Sequence, residues 1–184
     1  MSVKTLTAIE KQIHSWLSEL ENLTDQELSA KRDDKTWSLS QLHSHLFRGT
    51  QNFHLMHVRK CLDSQSDVKR NKTFKGRISF LLGQFPPIRI KVPPTKEYTP
   101  IELSKSELIE QAHHLLSAID DLKPLFSQSV ISGKTAHPAF GYLNAAEWLG
   151  IIAMHFQHHV RQRNELLQWA KENSHQLQLN QLSI

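Results

Sequence analysis

NAAEWLGIIAMHFQHHVRQRNELL, residues 144–167, is the stretch that decides the fold. Its apolar and histidine positions recur at alternating steps of four and three, which is typical of a helix along the seam of a helical bundle. The seam positions are Trp148, Ile152, His155, His159, Gln162 and Leu166. Two histidines and a glutamine therefore stand where a bundle core would normally have leucines.

Three long helices are predicted from matching start signals. Each has a small polar N-cap residue followed three positions later by Glu or Gln, the pattern of a capping box. The pairs are Ser38 with Gln41, Ser104 with Glu107, and Asn144 with Glu147. These helices should run to about Leu62, Phe126 and Glu172, and Pro124 is expected to kink or end the second of them.

A further helix is predicted from about Thr5 to Leu20, because its apolar residues fall on one stripe, and a short turn over residues 24–28 should follow. The helix from Ser38 should place on its inner face Leu39, Leu42, Leu46, Phe53 and Met56. The sequence has no internal repeat and no shift in composition. It therefore predicts one all-α domain over residues 1–184, a four-helix bundle with a longer basic insertion between its second and third helices.

The positive charge is concentrated in that insertion. The chain has a net charge of +4, whereas residues 64–97 contain eight basic and two acidic residues, so the remainder carries −2. A slightly acidic body does not resemble a nucleic-acid-binding face, and few aromatic residues are interleaved with the charges. Phe74, Phe80 and Phe85 are interpreted as packing residues, and PPIRIKVPP, residues 86–94, as an extended edge segment.

The cysteine content and the hydropathy of the chain indicate the cellular compartment in which the protein is expected. The single cysteine, Cys61, cannot form an intramolecular disulfide, and residues 1–12 lack the apolar core of a signal peptide. The longest apolar stretch, residues 145–156, is interrupted by Glu147 and is too short to span a bilayer. We therefore expect a cytoplasmic protein without a membrane-spanning segment.

Twelve histidines are the most unusual feature of the composition. His155 and His159 are one helical turn apart on the seam, about 6 Å along the axis, which suits two imidazoles that share one metal ion. His158 shares its stripe with Arg161 and Glu165 and is expected to be solvated. The best third ligand is His45, which lies between Leu42 and Leu46 at the buried edge of its helix.

Other interpretations of these histidines stay open. Histidines on a bundle seam are often hydrogen-bonded core residues, and residue 156 is Phe, so the HExxH motif of metalloproteases is absent. The remaining candidates are interpreted as surface or structural residues: His43, His54, His57, His113 and His114.

Two blocks, WSLSQLHSHL (residues 37–46) and HPAFGYLNAAEWLGIIAMHFQHHVRQ (residues 137–162), resemble the DinB-like (YfiT-like) superfamily, and within it the DUF1569 branch. The resemblance implies a four-helix bundle whose metal ligands are His45, His155 and His159. Many members read HExHHRGQ in the fourth helix, and of this pattern the chain keeps the histidines and Gln162 but not the acidic and glycine positions. Several relatives are thiol-dependent transferases or isomerases, and others have been proposed to be hydrolases.

Two functions follow from these features. In the first, an enzyme of unassigned reaction binds Zn, Ni, Co or Fe and acts on a small-molecule substrate with water or a low-molecular-weight thiol. Gln162 and either His137 or Tyr142 would orient a ligand or substrate. The cations of the insertion would either attract an anionic substrate or belong to a segment that only covers the bundle; they are Arg77, Arg89 and Lys91. In the second, a non-catalytic bundle with a structural or vestigial site serves as a stress-associated binding or dimerisation module, and a homodimer is the assembly that this function would use.

Overall fold

A computed structural model describes residues 2–64, 68–85, 99–128 and 133–181. Its elements in chain order are α1 (Ser2–Glu21), α2 (Asp25–Ser29), α3 (Leu39–Gly49), a π turn (Thr50–His54), α4 (Leu55–Asp63), α5 (Phe74–Leu82), α6 (Lys105–Gln128), β1 (Lys134–His137), β2 (Gly141–Asn144) and α7 (Ala145–Gln181). Helix α1 packs against α6 and α7, α3 against α6 and α7, and α4 against α7. The prediction of an all-α bundle is confirmed.

The three capping boxes form as predicted. The Ser38 hydroxyl accepts a hydrogen bond from the Gln41 backbone N–H, and the Gln41 side chain accepts one from the Ser38 N–H. The boxes at Ser104 and Asn144 are closed in the same way. The helices that carry the candidate ligands therefore begin where the sequence predicts.

The predicted second helix contains a π turn, which the sequence analysis did not anticipate. Phe53 and Met56, predicted on the inner face, are only half-buried, whereas Leu55, Val58 and Cys61 fill the core. A π turn holds more residues than an α turn, so every later side chain is rotated relative to a regular helix. The prediction for Met56 was wrong for that reason, whereas Phe53 still packs against the core.

Two helix ends also differ from the predictions. Helix α6 continues through Pro124 to Gln128, so the proline does not end it. Proline removes one backbone donor, and tertiary packing along an amphipathic face can outweigh that loss. Helix α7 continues beyond Glu172 to Gln181.

The described part of the insertion contains a helix, α5, that was not predicted. The Thr73 hydroxyl caps its first turn, and Gly83, with φ of 65°, ends it in the left-handed conformation. Phe80 and Phe85 pack against the core as expected, but Phe74 is 77% exposed, so its interpretation as a packing residue was wrong. The PPIRIKVPP segment lies outside the described residues.

A β-hairpin precedes α7. Strands β1 and β2 pair antiparallel, with His137 opposite Gly141. Gly141 has φ of 81°, and a Cβ there would lie 2.8 Å from the Asn71 carbonyl oxygen and from the Thr73 nitrogen. Glycine is therefore required for the hairpin to contact the segment that leads into α5.

The core is continuous along the bundle and is formed largely by aliphatic side chains. Its largest fully buried side chains are Trp16, Phe47, Trp148 and Phe156. Within the ranges described, no helix is both long and apolar enough to cross a membrane.

The cap of α3 can be tested with Ser38→Ala. Its hydroxyl also donates to the Glu102 carboxylate at 2.9 Å, so the substitution removes two interactions at a fully buried site. We expect the free energy of unfolding to fall by about 1–2 kcal/mol in urea titrations. Ser117→Ala, at an exposed position inside α6, is the control. Equal effects of the two substitutions would contradict the assigned role of the cap.

Candidate metal centre

Three histidines from two helices meet inside the bundle. Helix α3 contributes His45, and one face of α7 contributes His155 and His159. One ring nitrogen from each lies within 4.8 Å of the others, and the Nε2 atoms of His45 and His155 are 3.0 Å apart. His159 is buried, and the other two side chains are partly buried. The structure thus brings together the three residues that the sequence analysis selected.

This donor set fits a single divalent ion. The facing Nε2 atoms of His45 and His155 share at most one proton, and an ion between the rings would replace it. Nitrogens bound to one tetrahedral zinc lie roughly 3.3 Å apart, given bonds of about 2.0 Å. The observed separations, 3.0 Å for one pair and at most 4.8 Å for the others, are close to that value.

Gln162 fixes the orientation of one imidazole. The Nδ1–H group of His159 donates to the Gln162 side-chain oxygen at 2.9 Å, with this tautomer assigned from the acceptor. The Nε2 lone pair of His159 is then directed toward the other two histidines. Such outer hydrogen bonds select the tautomer of histidines that bind metal.

The local electrostatics keep the imidazoles of His155 and His159 neutral. Burial, together with the nearby His45 ring, lowers the pKa of His159 to about 4. Burial also lowers the pKa of His155 well below 6.5, with added repulsion from His45 and His159. Neutral imidazole is the form that binds a metal ion, so no proton has to be displaced from these rings at neutral pH.

Aromatic side chains form the walls of the centre. Trp37 lies 5.1 Å from His45 and 6.3 Å from His159, measured between ring centroids, and is nearly parallel to the latter. Phe85 lies 6.2 Å from His155. His158 is exposed beside the site, as predicted. A substrate that approaches the three histidines would therefore contact apolar ring surfaces.

A second histidine group, comprising His54, His57 and His137, adjoins the centre around Trp148. The His57 ring stacks on Trp148 at 4.4 Å, and its Nδ1 lies 3.0 Å from the Thr135 hydroxyl. His137 Nδ1 accepts hydrogen bonds from two backbone N–H groups, so Nε2 carries its proton. Burial lowers the pKa of His137 to about 4. This group presents neutral hydrogen-bonding rings beside the candidate ligands.

His54 was missed as a residue of the site. It lies in the π turn, 5.4 Å from the His155 ring, and is 6% exposed. Burial lowers its pKa to about 3, and its Nδ1 has no hydrogen-bond partner in the described structure. π turns are often found at functional sites, so a predicted π turn would have indicated His54 as a residue of interest. The turn has no clear signal in the sequence, however, and could not be predicted.

The other candidate residues lie elsewhere or are not described. The Tyr142 hydroxyl accepts a hydrogen bond from Arg70 at 2.8 Å, near the hairpin. Arg77 is exposed on α5, and Arg89 and Lys91 fall outside the described residues. His43, interpreted as a surface or structural residue, is fully buried and donates through Nδ1 to the Leu39 carbonyl oxygen.

The fold and the site together define a helical bundle in which two helices supply a three-histidine group. The family model described as DinB superfamily matches residues 8–162, a range that includes all three histidines and Gln162. The chain belongs to the DinB superfamily. No curated protein matches it.

Acid stability tests whether the buried histidines are neutral. The pKa values of His43 and His54 in the folded protein are about 4 and about 3, below the ordinary value of 6.5. Above pH 6.5 both the folded and the unfolded chain carry neutral imidazoles. Below pH 6.5 the unfolded chain binds more protons than the folded chain. The free energy of unfolding should therefore decrease as the pH is lowered from 6.5 to about 4, and each buried histidine should contribute up to about 1.4 kcal/mol per pH unit.

The measurement is urea unfolding of metal-free protein at pH 7.5, 6 and 5. His54→Gln should reduce the slope, whereas His14→Gln, at an exposed position of α1, should leave it unchanged. A flat profile between pH 7.5 and 5 would show that the buried rings do not resist protonation.

Proposed function

We propose that the protein binds one divalent metal ion through His45, His155 and His159 and uses it to activate a nucleophile toward a small-molecule substrate. The observation that carries the proposal is the convergence of three imidazoles, two of which are 110 residues apart in sequence. Bundle packing alone does not explain them, because polar groups at adjoining core positions cost stability unless they are partnered.

Three protein ligands leave a coordination position open, as in catalytic rather than structural sites. The ion, when bound, would lower the pKa of water or of a low-molecular-weight thiol at that position. Zinc, nickel, cobalt and ferrous iron all accept imidazole nitrogen. Metal-dependent hydrolysis and thiol-dependent transfer are the two reaction classes that this chemistry supports, and the two sequence blocks support placement in the DUF1569 branch.

The chain's own residues would position the reactants. Trp37 and Phe85 offer ring surfaces that exclude water, and Gln162 holds His159 in the tautomer that a ligand needs. His54 and His137 are neutral rings with hydrogen-bonding nitrogens beside the centre. Their part in the proposal is to hold polar atoms of a substrate.

The first experiment is metal analysis of untagged protein, followed by cobalt substitution of the metal-free form. We expect one equivalent of metal per chain and a cobalt absorption spectrum of low coordination number. Alanine at His45, His155 or His159 should abolish stoichiometric binding without loss of helicity. His158→Ala, which removes an exposed histidine between the two α7 ligands, is the matched control.

A thiol titration of the cobalt form tests for the open position. A sulfur-to-metal charge-transfer band on addition of a small thiol would support the thiol-dependent reaction, and a pH-dependent spectrum without that band would support hydrolysis. Insensitivity to both would favour the alternative of a non-catalytic bundle with a structural site. Full metal binding by the triple alanine variant would refute the ligand assignment itself.

Gln162 provides a further prediction. Gln162→Ala should lower metal affinity about 10–100-fold, because His159 loses the acceptor that fixes its tautomer. Chelator competition on the metal-loaded protein gives the affinity. Gln157→Ala, an exposed position on the same helix, should have no effect. If both substitutions leave the affinity unchanged, Gln162 does not orient a ligand.

A further inference from the structure

A polar cleft lies where the hairpin, the start of α7 and the segment leading into α5 meet. Its volume is about 340 Å³, within the range of small-molecule sites. Glu147 on its wall precedes His155 by eight residues of α7, or about 12 Å along the helix axis. The cleft is therefore distinct from the candidate metal centre.

Cations outnumber carboxylates in this cleft. Lys72, Arg77 and Lys134 line it, together with one carboxylate, Glu147, which pairs with Lys72. The Lys134 amine donates only to uncharged oxygens, at 3.1 Å and 3.3 Å. In the part of the chain that is described, neither Arg77 nor Lys134 forms an ion pair with a carboxylate. Two positive charges on the lining are thus uncompensated.

The hairpin holds the cations in place. The Tyr142 N–H donates to the Asn71 carbonyl oxygen at 3.2 Å, and the Thr73 N–H donates to the Phe140 carbonyl oxygen at 2.9 Å. Residues 71–73, which flank Lys72, are thereby fastened to the strands that carry Lys134. Arg70 adds a further charge at the edge, because its guanidinium donates to the Tyr142 hydroxyl. Preorganised charges bind a ligand at a lower entropic cost than mobile ones.

We propose that this cleft binds the phosphate group of a small molecule, free or esterified. A phosphate dianion matches the two uncompensated charges, and the planar Arg77 guanidinium and the Lys134 amine suit its several oxygens. Lys72 would give up its ion pair with Glu147 and contact the anion instead. A nucleic acid is not favoured, because outside residues 64–97 the chain carries a net −2, so the positive charge is not spread over a wider face.

Inorganic pyrophosphate, titrated calorimetrically into metal-free protein at low salt, is the test. We expect one site per chain. Arg77→Gln should weaken binding at least about tenfold, since hydrogen bonds to charged groups are lost. Glu147→Gln should strengthen it, because the amide oxygen can still accept the hydrogen bond from the Asn144 N–H while the competing negative charge is gone. Opposite signs for these two variants would not follow from a general loss of structure.

Lys11→Gln, an exposed position on α1, is the control for net charge and should leave binding within about twofold of wild type, since its charge is screened at a distance. Absence of saturable binding by the wild type, or equal weakening by Lys11→Gln and Arg77→Gln, would overturn the proposal. So would preferential binding of oligonucleotides with an affinity that rises with length. Inorganic phosphate and a sugar phosphate in parallel titrations distinguish a free from an esterified ligand. Because the protein is metal-free, failure here leaves the proposed metal centre untouched, and the reverse also holds.

Discussion

The packing of Phe156 between two other helices is the contact on which the centre depends. Its ring lies 5.8 Å from Trp16 of α1 and 6.4 Å from Phe47 of α3, and all three are fully buried. This junction sets the axial position of α7 against α3, so that His155 and His45, one and two residues away from the anchoring rings, face each other. Metalloproteases with an HExxH motif have their general base at the position that Phe156 occupies. Here the position serves packing instead, and His54, whose ring lies 5.4 Å from His155 and whose Nδ1 has no hydrogen-bond partner in the described structure, is the buried neutral ring beside the centre.

The junction of Phe156, Trp16 and Phe47 also borders a group of polar side chains, formed by Arg163, Glu19 and His43. Arg163 of α7 lies over the Trp16 ring at 4.8 Å and 3.4 Å from the Glu19 carboxylate, while His43 lies 3.8 Å from the same carboxylate. Burial raises the pKa of Glu19, and Arg163 opposes that effect. The bundle thus has charge-sensitive contacts between α1, α3 and α7 on one side and neutral imidazoles on the other. The hairpin and the described part of the insertion differ from the bundle, because positively charged side chains outnumber carboxylates there.

Local chemistry explains what could be predicted from the sequence. The capping boxes at Ser38, Ser104 and Asn144 involve only neighbouring residues, and the pair His155 and His159 needs only helical periodicity. His45 could be selected because the periodicity from Leu39 to Leu46 is regular. Beyond Gly49 the periodicity no longer predicts the inner face correctly, because the π turn rotates the side chains that follow it. For the same reason the position of His54 beside the candidate centre could not be predicted. The placement of α5 against the hairpin depends on contacts between distant segments, such as the hydrogen bond from the Thr73 N–H to the Phe140 carbonyl oxygen.

The π turn also marks where this helix tolerates a change in chain length. Loss of one codon between Gly49 and Leu55 would let the wide turn tighten into an ordinary α turn, with Leu39, Leu42 and Val58 still directed inward. Loss of a codon elsewhere in the helix would rotate everything after it by about 100° and move the apolar residues out of the core. In an alignment of relatives, a single-residue gap is therefore best placed at residues 50–54, and a relative with such a gap would retain the candidate ligand His45 on α3 but not the ring of His54 at its present position.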